Sequence, residues 1–589
     1  TLKLESSAKI EYSFPFLKGL KAAFQFDWDW RNIASKTFAY GYDVMAWSFA
    51  ERNYELRMCS YALEDGNLNL GEQKWQQRVL RPSLSYAGKF GKHDVAALLL
   101  YEQREVGSTQ FTGSRQKFDL LDIDELSFGN ASTAINSGSR GIEGYAGYVG
   151  RFNYAYDDRY LLEGAFRYDG SYKFARGHRW GFFPSVSAGW VLSKEDFFKD
   201  RFPFVDLFKV RASVGETGND NVTAWLYRKS YGFSGNSVAF GQVAQSTLYN
   251  TVSYPFSDLT WERIRTWDAG FEFNAWKGKL GIEFDWFYKY TYNILNSVSS
   301  GFPASLGGHH PTNENTGAFD NRGFELSLSH ANRIGDFYYR LGGNMSWAHN
   351  RILKMRQSDN VLPWQDRIGS SIGDVWGLLS DGLYQTEEDL ANAPREVVAK
   401  LGDIKYVDYN GDGRINSDDQ VKIGRNSRPE LMYALQMDAS WKGLDFNVLF
   451  QGGALCDKYL LGKWSNGVSD ATPLTKPWYA NYDNAPLYLV ENSWRPDNTE
   501  AEYPRLSVSA ESYSNNYRLS DFWKRDGAYL RLKSMSLGYT LPGRITRKAG
   551  IQGLRFFVTG TNLLTLTAFK YLDPESPNVV TGYYPQQRT

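Results

Sequence analysis

The stretch Ala22-Ala-Phe24-Gln-Phe26-Asp-Trp28-Asp-Trp30-Arg31 decides the fold class. Ala22, Phe24, Phe26, Trp28 and Trp30 occupy its even positions, and Ala23, Gln25, Asp27, Asp29 and Arg31 the odd ones. Wound as a helix, the charges would scatter around the girth. Extended, every aromatic falls on one face and every charge on the other. The same alternation returns along the chain. Leu162, Phe166 and Tyr168 oppose Glu163, Arg167 and Asp169, and Phe208, Val210, Ala212 and Val214 oppose Lys209, Arg211 and Ser213. Leu280, Ile282, Phe284, Trp286 and Tyr288 interleave with Glu283, Asp285 and Lys289. Phe324, Leu326 and Leu328 face away from Glu325, Ser327 and Ser329, and Leu444, Phe446, Val448 and Phe450 from Asp445, Asn447 and Gln451.

About sixteen such segments are present, most near the roughly 9–11 residues of a tilted membrane strand. They fall into hairpins: 8–14 with 21–31, 73–90 with 93–104, 145–157 with 159–170, and 181–192 with 207–216. The later pairs are 264–275 with 279–291, 321–332 with 336–349, 431–442 with 444–455, and 528–540 with 553–564. Links inside most pairs are short, as at Asp157-Asp158-Arg159 and Lys442-Gly443. Links between pairs are mostly long: 32–72, 105–142, 217–263, 350–430 and 456–527. Short turns on one rim and long loops on the other are the asymmetry of an outer-membrane barrel, whose long loops lie outside the cell. Charges aimed inward in so many strands exclude a dry sandwich core, where each unpaired charge would cost several kcal/mol.

The fold class read from these patterns is all-β: a transmembrane antiparallel β-barrel with long extracellular loops and short periplasmic turns. The turn at Leu17–Leu20 must be periplasmic, so an odd number of strands is expected before Ile10. An inward strand is expected after Thr589, and five upstream strands would bring the total to twenty-two. That is the class of barrel with a plugged lumen. Residues 1–589 are thus expected to be a partial barrel, with 350–430 and 456–527 as extracellular loops and with the plug and last strand outside the sequence. The chain opens at Thr1 with no Met or signal-peptide pattern, as expected of a mature chain or a fragment.

Composition excludes several other classes. The 66 Lys and Arg balance 66 Asp and Glu, which gives no basic field for nucleic acid. The longest apolar run, Val95 to Tyr101, is far short of a membrane helix. Two cysteines, Cys59 and Cys456, make no disulfide framework. A mean hydropathy of −0.48 alone would suggest a soluble chain, but a membrane barrel averages its two faces to the same figure.

Several stretches carry a family resemblance. Arg159-Tyr-Leu-Leu-Glu-Gly-Ala-Phe-Arg-Tyr-Asp-Gly-Ser171 leads into Arg179-Trp-Gly-Phe-Phe-Pro-Ser-Val-Ser-Ala-Gly-Trp190. Lys209-Val-Arg-Ala-Ser-Val-Gly-Glu-Thr-Gly-Asn219, Asn321-Arg-Gly-Phe-Glu-Leu326 and Gly402-Asp-Ile-Lys-Tyr-Val-Asp-Tyr-Asn-Gly-Asp-Gly413 follow. Tyr529-Leu-Arg-Leu-Lys533, Leu537-Gly-Tyr-Thr-Leu-Pro542 and Thr559-Gly-Thr-Asn-Leu-Leu-Thr565 complete the set. In this order and spacing the chain resembles the SusC/RagA family of TonB-dependent outer-membrane transporters of Bacteroidetes. The resemblance implies a 22-stranded barrel with an N-terminal plug and a SusD-like lipoprotein partner. It also implies import of oligosaccharides or peptides, energised by TonB–ExbB–ExbD through the part of the protein missing here. The cargo reading is oligosaccharide. A peptide importer, a passive outer-membrane channel and a surface glycan-binding module are the alternatives.

One motif points to an ion. Asp408-Tyr-Asn410-Gly-Asp412-Gly-Arg414-Ile-Asn416-Ser-Asp-Asp419 fits the calcium-loop spacing, with Asp419 in place of the usual Glu. The expected ligands are Asp408, Asn410, Asp412, the Arg414 carbonyl, Asn416 and Asp419, holding a structural Ca²⁺ weakly. The alternative is an ion-free turn rich in Asx residues. The loop tryptophans Trp225, Trp364, Trp376, Trp464, Trp478 and Trp494 are candidate substrate platforms, because an indole face stacks on a sugar's C–H face. Trp28, Trp30, Trp190 and Trp286 read instead as girdle or lipid-facing residues. His309-His310 lacks a third ligand at metal spacing. No G-x-S-x-G, P-loop or H-E-x-x-H occurs, so neither a catalytic set nor an organic cofactor is expected.

Overall fold

The computed structural model describes all residues except 49–51, 60–64, 241–242, 251–254, 298–304, 306–312, 359, 393, 395–398, 461–486, 507–514, 517, 570–572 and 576–586. Sixteen strands form one antiparallel sheet in strict chain order. They are β1 Leu2–Ser13, β2 Leu20–Ala39, β3 Asn67–Phe90, β4 His93–Gln116, β5 Ile135–Tyr156, β6 Tyr160–Ser171, β7 Trp180–Val191 and β8 Val205–Asn219. There follow β9 Glu262–Ala275, β10 Leu280–Ser297, β11 Asn313–Ile334, β12 Phe337–Lys354, β13 Leu431–Trp441, β14 Leu444–Ala454, β15 Tyr529–Thr540 and β16 Arg555–Thr567. All eight hairpins read from alternation are present. No described helix is long and apolar enough to cross a membrane.

The strands outrun the alternation that revealed them. β3 and β4 each hold 24 residues, about twice what a membrane crossing needs. Segments expected as links, 32–72 and 105–142, hold the upper ends of β2 to β5 and a further hairpin, Tyr42–Ser48 with Asn53–Cys59. Backbone pairing continues above the membrane because a paired amide needs no side-chain pattern.

Two units divide the chain: 1–187, 215–251 and 255–261 in the first, and 188–214, 252–254 and 262–589 in the second. In the first, Phe24, Leu84, Leu99, Phe152 and Leu162 stay 44–54% exposed on the apolar face. The opposite face carries ion pairs. Arg81 bridges Asp27 and Glu102 at 2.6 Å each, Arg151 meets Glu163 at 2.7 Å, and Arg167 meets Asp169 at 2.9 Å. In the second unit, Arg211 reaches Glu272 and Asp285 at 2.5 Å and Glu283 at 3.3 Å, and Lys209 shares Glu272. Exposed oil on one face and paired charge on the other is the inverse of a soluble sheet.

Tight turns close the hairpins on one rim. Asp157 and Asp158 both adopt positive φ (55° and 50°), as do Lys442 and Gly443 (46° and 92°). Two successive left-handed residues give the turn whose twist matches the flanking strands. At Gly443 a Cβ would stand 2.6 Å from the Thr540 carbonyl oxygen, so that turn needs glycine.

Candidate functional site

The long links of the second unit build a compact body with a core of its own. Three short ladders frame it: Val375–Gly377 with Val421–Gly424, Ser380–Leu383 with Ile404–Tyr406, and Asp457–Tyr459 with Lys524–Asp526. Leu378, Ile404, Ile415, Trp494, Tyr503 and Trp523 meet in the core, with Phe569 from the segment after β16. The segments are tied through fully buried polar groups. Asp403 accepts from Arg505 Nε and Asn516 Nδ2 (both 2.9 Å), and Asn516 Oδ1 accepts the Ile404 amide at 2.9 Å. Tyr406 donates to the Asn515 carbonyl (2.8 Å), and Trp523 Nε1 to the Asn516 carbonyl (3.0 Å). Buried polar groups satisfied this fully fix a single arrangement.

Electrostatics follow the packing. Hydrogen bonding to Lys405 holds Asp389 below the usual carboxylate range, and Asp389 with Asp381 raises Lys405. Burial pushes the Tyr406 phenol and the Cys456 thiol up and the Lys458 ammonium down.

Within this body the Asp408 loop folds on its own amides. Asp408 accepts from Gly411 and Gly413 (2.8 Å each), and Asp412 Oδ1 from Arg414 (2.8 Å). Buried Asp419 accepts from Tyr409 and Asn416 (2.8 Å each), and Asn416 Oδ1 accepts from Asp418 at 2.6 Å. Asn410 Oδ1 takes the Asp412 amide at 2.9 Å. All six expected ligands therefore lie on one closed loop. Asp408 Oδ1 and Asp419 Oδ1 already take two amides each and Asp408 Oδ2 and Asp419 Oδ2 one, and an all-oxygen set suits a hard cation. Among the described residues no three His, Cys, Asp or Glu side chains stand together as metal ligands. Asp408, Asp412 and Asp419 would have to swing toward a common centre to hold an ion.

The tryptophans part company. Trp364 straps the Asp408 loop, donating Nε1 to the Asp418 carbonyl (2.8 Å) and packing edge-on against Tyr409 at 5.3 Å. Trp376 lies in the first ladder under Arg367, 5.5 Å away. Trp494 is in the core, bonded to Gln385 Oε1 at 3.0 Å. Trp464 and Trp478 lie outside the described residues, as do His309 and His310.

Trp225 stands apart, 40% exposed in the first unit with φ +68°. It meets Tyr172 edge-on at 5.4 Å and lies under Arg228 at 4.6 Å. Together they wall a cavity of about 480 Å³, lined also by Arg78, Arg140 and Arg179 and by Glu105 and Glu143. The Arg179 Nε donates to the Phe174 carbonyl at 3.1 Å rather than to an acid. In the second unit a cavity of about 360 Å³ is lined by Glu283, Asp285 and Glu325 on the charged face. Sequence reading singled out Trp225 but missed Arg78, Arg140 and Arg228. For Arg78 and Arg140 the signal was the alternation carried along the full length of their strands; Arg228 lies in a turn and had none.

Residues 9–563 match the family model described as "TonB dependent receptor-like, beta-barrel". The chain belongs to that family. It is 28% identical over 566 residues to the TonB-dependent receptor P26 of Formosa agariphila, covering 86% of this chain and 54% of that protein. It is also 28% identical over 460 residues to the TonB-dependent receptor SusC of Bacteroides thetaiotaomicron, covering 75% of this chain and 42% of that one. The chain spans about half the length of these curated relatives. A solved structure titled "Structure of the RagAB peptide transporter" superposes with a TM-score of 0.71 at 20% identity, covering all of this chain and 61% of that one. That likeness is one of fold. This TonB-dependent receptor barrel is an outer-membrane protein, with its apolar face toward lipid.

Proposed function

We propose that the whole protein imports an oligomeric nutrient, of oligosaccharide class, across the outer membrane. In this reading it works with a SusD-like surface lipoprotein, draws energy from TonB–ExbB–ExbD, and performs no covalent chemistry on its cargo. The observation that carries the reading is the family match across 9–563 on a sheet with lipid on one face and paired charge on the other. A charged inner face suits a hydrated cargo and a mobile plug better than an apolar ligand. The loop body supplies a rigid outer rim on which a partner lipoprotein could seat. A peptide cargo is the second reading, because the RagAB structure that shares the fold is titled a peptide transporter. Deleting the gene and offering cells panels of glycans and peptides tests both. Loss of uptake of one glycan class supports the first reading, loss of peptide uptake replaces it with the second, and undiminished uptake of every oligomer overturns both.

We also propose that the Asp408 loop takes Ca²⁺ in a structural role. The oxygen-only donor set at calcium-loop spacing supports it, and the ion would add cross-links to a loop already closed by amides. Millimolar Ca²⁺ should slow proteolysis within 408–419, and Asp412→Ala should abolish the effect. Equal cleavage with and without Ca²⁺ would leave the ion-free turn as the description of this loop.

A further inference from the structure

At the short-turn rim of the second unit the apolar face ends in a single row. Ile334 pairs with Phe337, Phe337 with Trp441, Trp441 with Leu444, Leu444 with Tyr539 and Tyr539 with Phe556. Directly paired residues share a face, and two residues further along their strands Phe446, Leu537 and Val558 pair on the same side. All six members of the row are exposed, as lipid-facing groups are. Aromatic rings gathered at the short-turn rim mark the inner, periplasmic boundary of the membrane. Chain just beyond the row therefore lies at the level of the inner leaflet's headgroups.

One connection there is longer than its neighbour requires. Lys442-Gly443 alone joins β13 to β14, whereas β15 reaches β16 through Leu541-Pro-Gly-Arg-Ile-Thr-Arg-Lys-Ala-Gly-Ile-Gln-Gly-Leu554. The Leu541 amide donates to the Leu554 carbonyl at 2.9 Å and closes the neck of this turn. Two short helical pieces follow, Gly543–Thr546 and Arg547–Ala549, and Gly550 reverses the chain at φ +73°. The Ile551 amide then returns to the Thr546 carbonyl at 3.0 Å, with Thr546 itself buried. The turn is thus a closed knob. It presents Arg544, Arg547 and Lys548, all exposed, together with Ile545 and Ile551, 54% and 42% exposed. It holds no Asp or Glu. None of the three cationic side chains makes an ion pair or hydrogen bond among the described residues. Arg555, just past the knob, differs, because Asp445 answers it at 2.5 Å.

We propose that the Leu541–Leu554 knob binds an anionic glycerophospholipid of the inner leaflet. Guanidinium forks at Arg544 and Arg547 match a phosphate's oxygens two at a time, and Lys548 adds a third positive charge. Ile545 and Ile551 enter the boundary between headgroups and acyl chains, which run on along the row at Tyr539 and Phe556. Two isoleucines bare to water beside three unanswered cations suit neither a zwitterionic lipid nor a soluble acid. The cations call for a headgroup of net negative charge, and the isoleucines for hydrocarbon attached to it. The proposal rests on the outer-membrane location and the register, not on import.

The test uses the full-length protein in detergent and three probes: phosphatidylglycerol, phosphatidylethanolamine with the same acyl chains, and soluble glycerol phosphate. Native mass spectrometry reads how tightly each is retained. Wild type should hold phosphatidylglycerol about tenfold more tightly than either of the others. The triple variant Arg544→Gln/Arg547→Gln/Lys548→Gln should lose that preference. Ile545→Ser/Ile551→Ser should weaken both lipids by about fivefold and keep the preference between them. Lys277→Gln/Lys279→Gln, which removes two cations from another turn of the same rim, should behave as wild type. Mobility on unboiled gels checks that each variant folds. Equal retention of the two lipids by wild type, or a wild-type preference in the triple variant, overturns the proposal. So does undiminished retention in the isoleucine variant, or an equal loss from the Lys277 and Lys279 changes, which would spread the effect over the whole rim. Glycerol phosphate held as tightly as the lipid also overturns it, and makes the knob a site for a soluble anion.

Discussion

The sheet and the loop body of the second unit are made of the same residue types used in opposite ways. In the sheet, Leu99 and Phe182 are half exposed, while charge pairs such as Arg211 with Asp285 gather on the other face. In the loop body, Trp523 and Ile404 are wholly buried, and the buried carboxylates Asp403 and Asp419 each carry hydrogen-bond partners. The difference is one of solvent. A face against hydrocarbon gains nothing by hiding its apolar groups, whereas a loop in water must bury them to hold a shape.

The sharpest way to separate the two is Trp523→Ala. Losing a fully buried indole is expected to cost about 3–5 kcal/mol in the loop body alone. Proteolysis should then open 375–526 while the unboiled-gel mobility of the sheet stays put. If both fail together, the loop body is not an independent core. Next comes a charge on each face. Leu99→Arg, near the middle of the membrane, should cost about 2–4 kcal/mol in refolding titrations into vesicles. Ser327→Arg, on the charged face paired with Glu283, should cost little. Equal costs would mean the faces have been assigned wrongly.

Gly402 has φ +81°, and a Cβ there would stand 2.3 Å from the Trp494 ring. Gly402→Ala is expected to cost on the order of 1–3 kcal/mol, read as faster cleavage near Trp494. The smallest effect belongs to Lys405→Gln, about 1 kcal/mol or less for a partly exposed pair. Because Asp389 is held low, the stabilisation from this pair is complete above the ordinary aspartate value. It disappears as pH falls through the lowered one, so wild type and variant should converge in acid and diverge at neutral pH.

The sheet was legible because a two-residue period repeats over ten residues at a time, as at Phe24–Trp30 and Leu280–Tyr288. The loop body was not. Ser380–Leu383 pairs with Ile404–Tyr406 and is fastened by Asn516 and Trp523, more than a hundred residues on. Runs of three or four residues carry no period. A lone loop tryptophan reads the same whether its ring enters a core, as Trp494 does, or faces a cavity, as Trp225 does. The hairpin at Tyr42–Ser48 was missed for the same reason: its strands are only seven residues long. The Asp408 motif was legible as a tight loop. What it holds was not, because amides and cations compete for the same oxygens.

The 24-residue strands β3 and β4 have one more consequence. A digestive protease binds its substrate as a lone extended segment, completing a ladder with the enzyme's own backbone. Lys74, Arg78, Arg104 and Arg115 would each invite trypsin if they sat on a free segment. Every one of them is already partnered on a neighbouring strand, which leaves an attacking enzyme no main-chain groups to grip. A cell that exposes this receptor to a protease-rich exterior therefore presents a palisade that can be touched from outside but not threaded into a cleaving cleft.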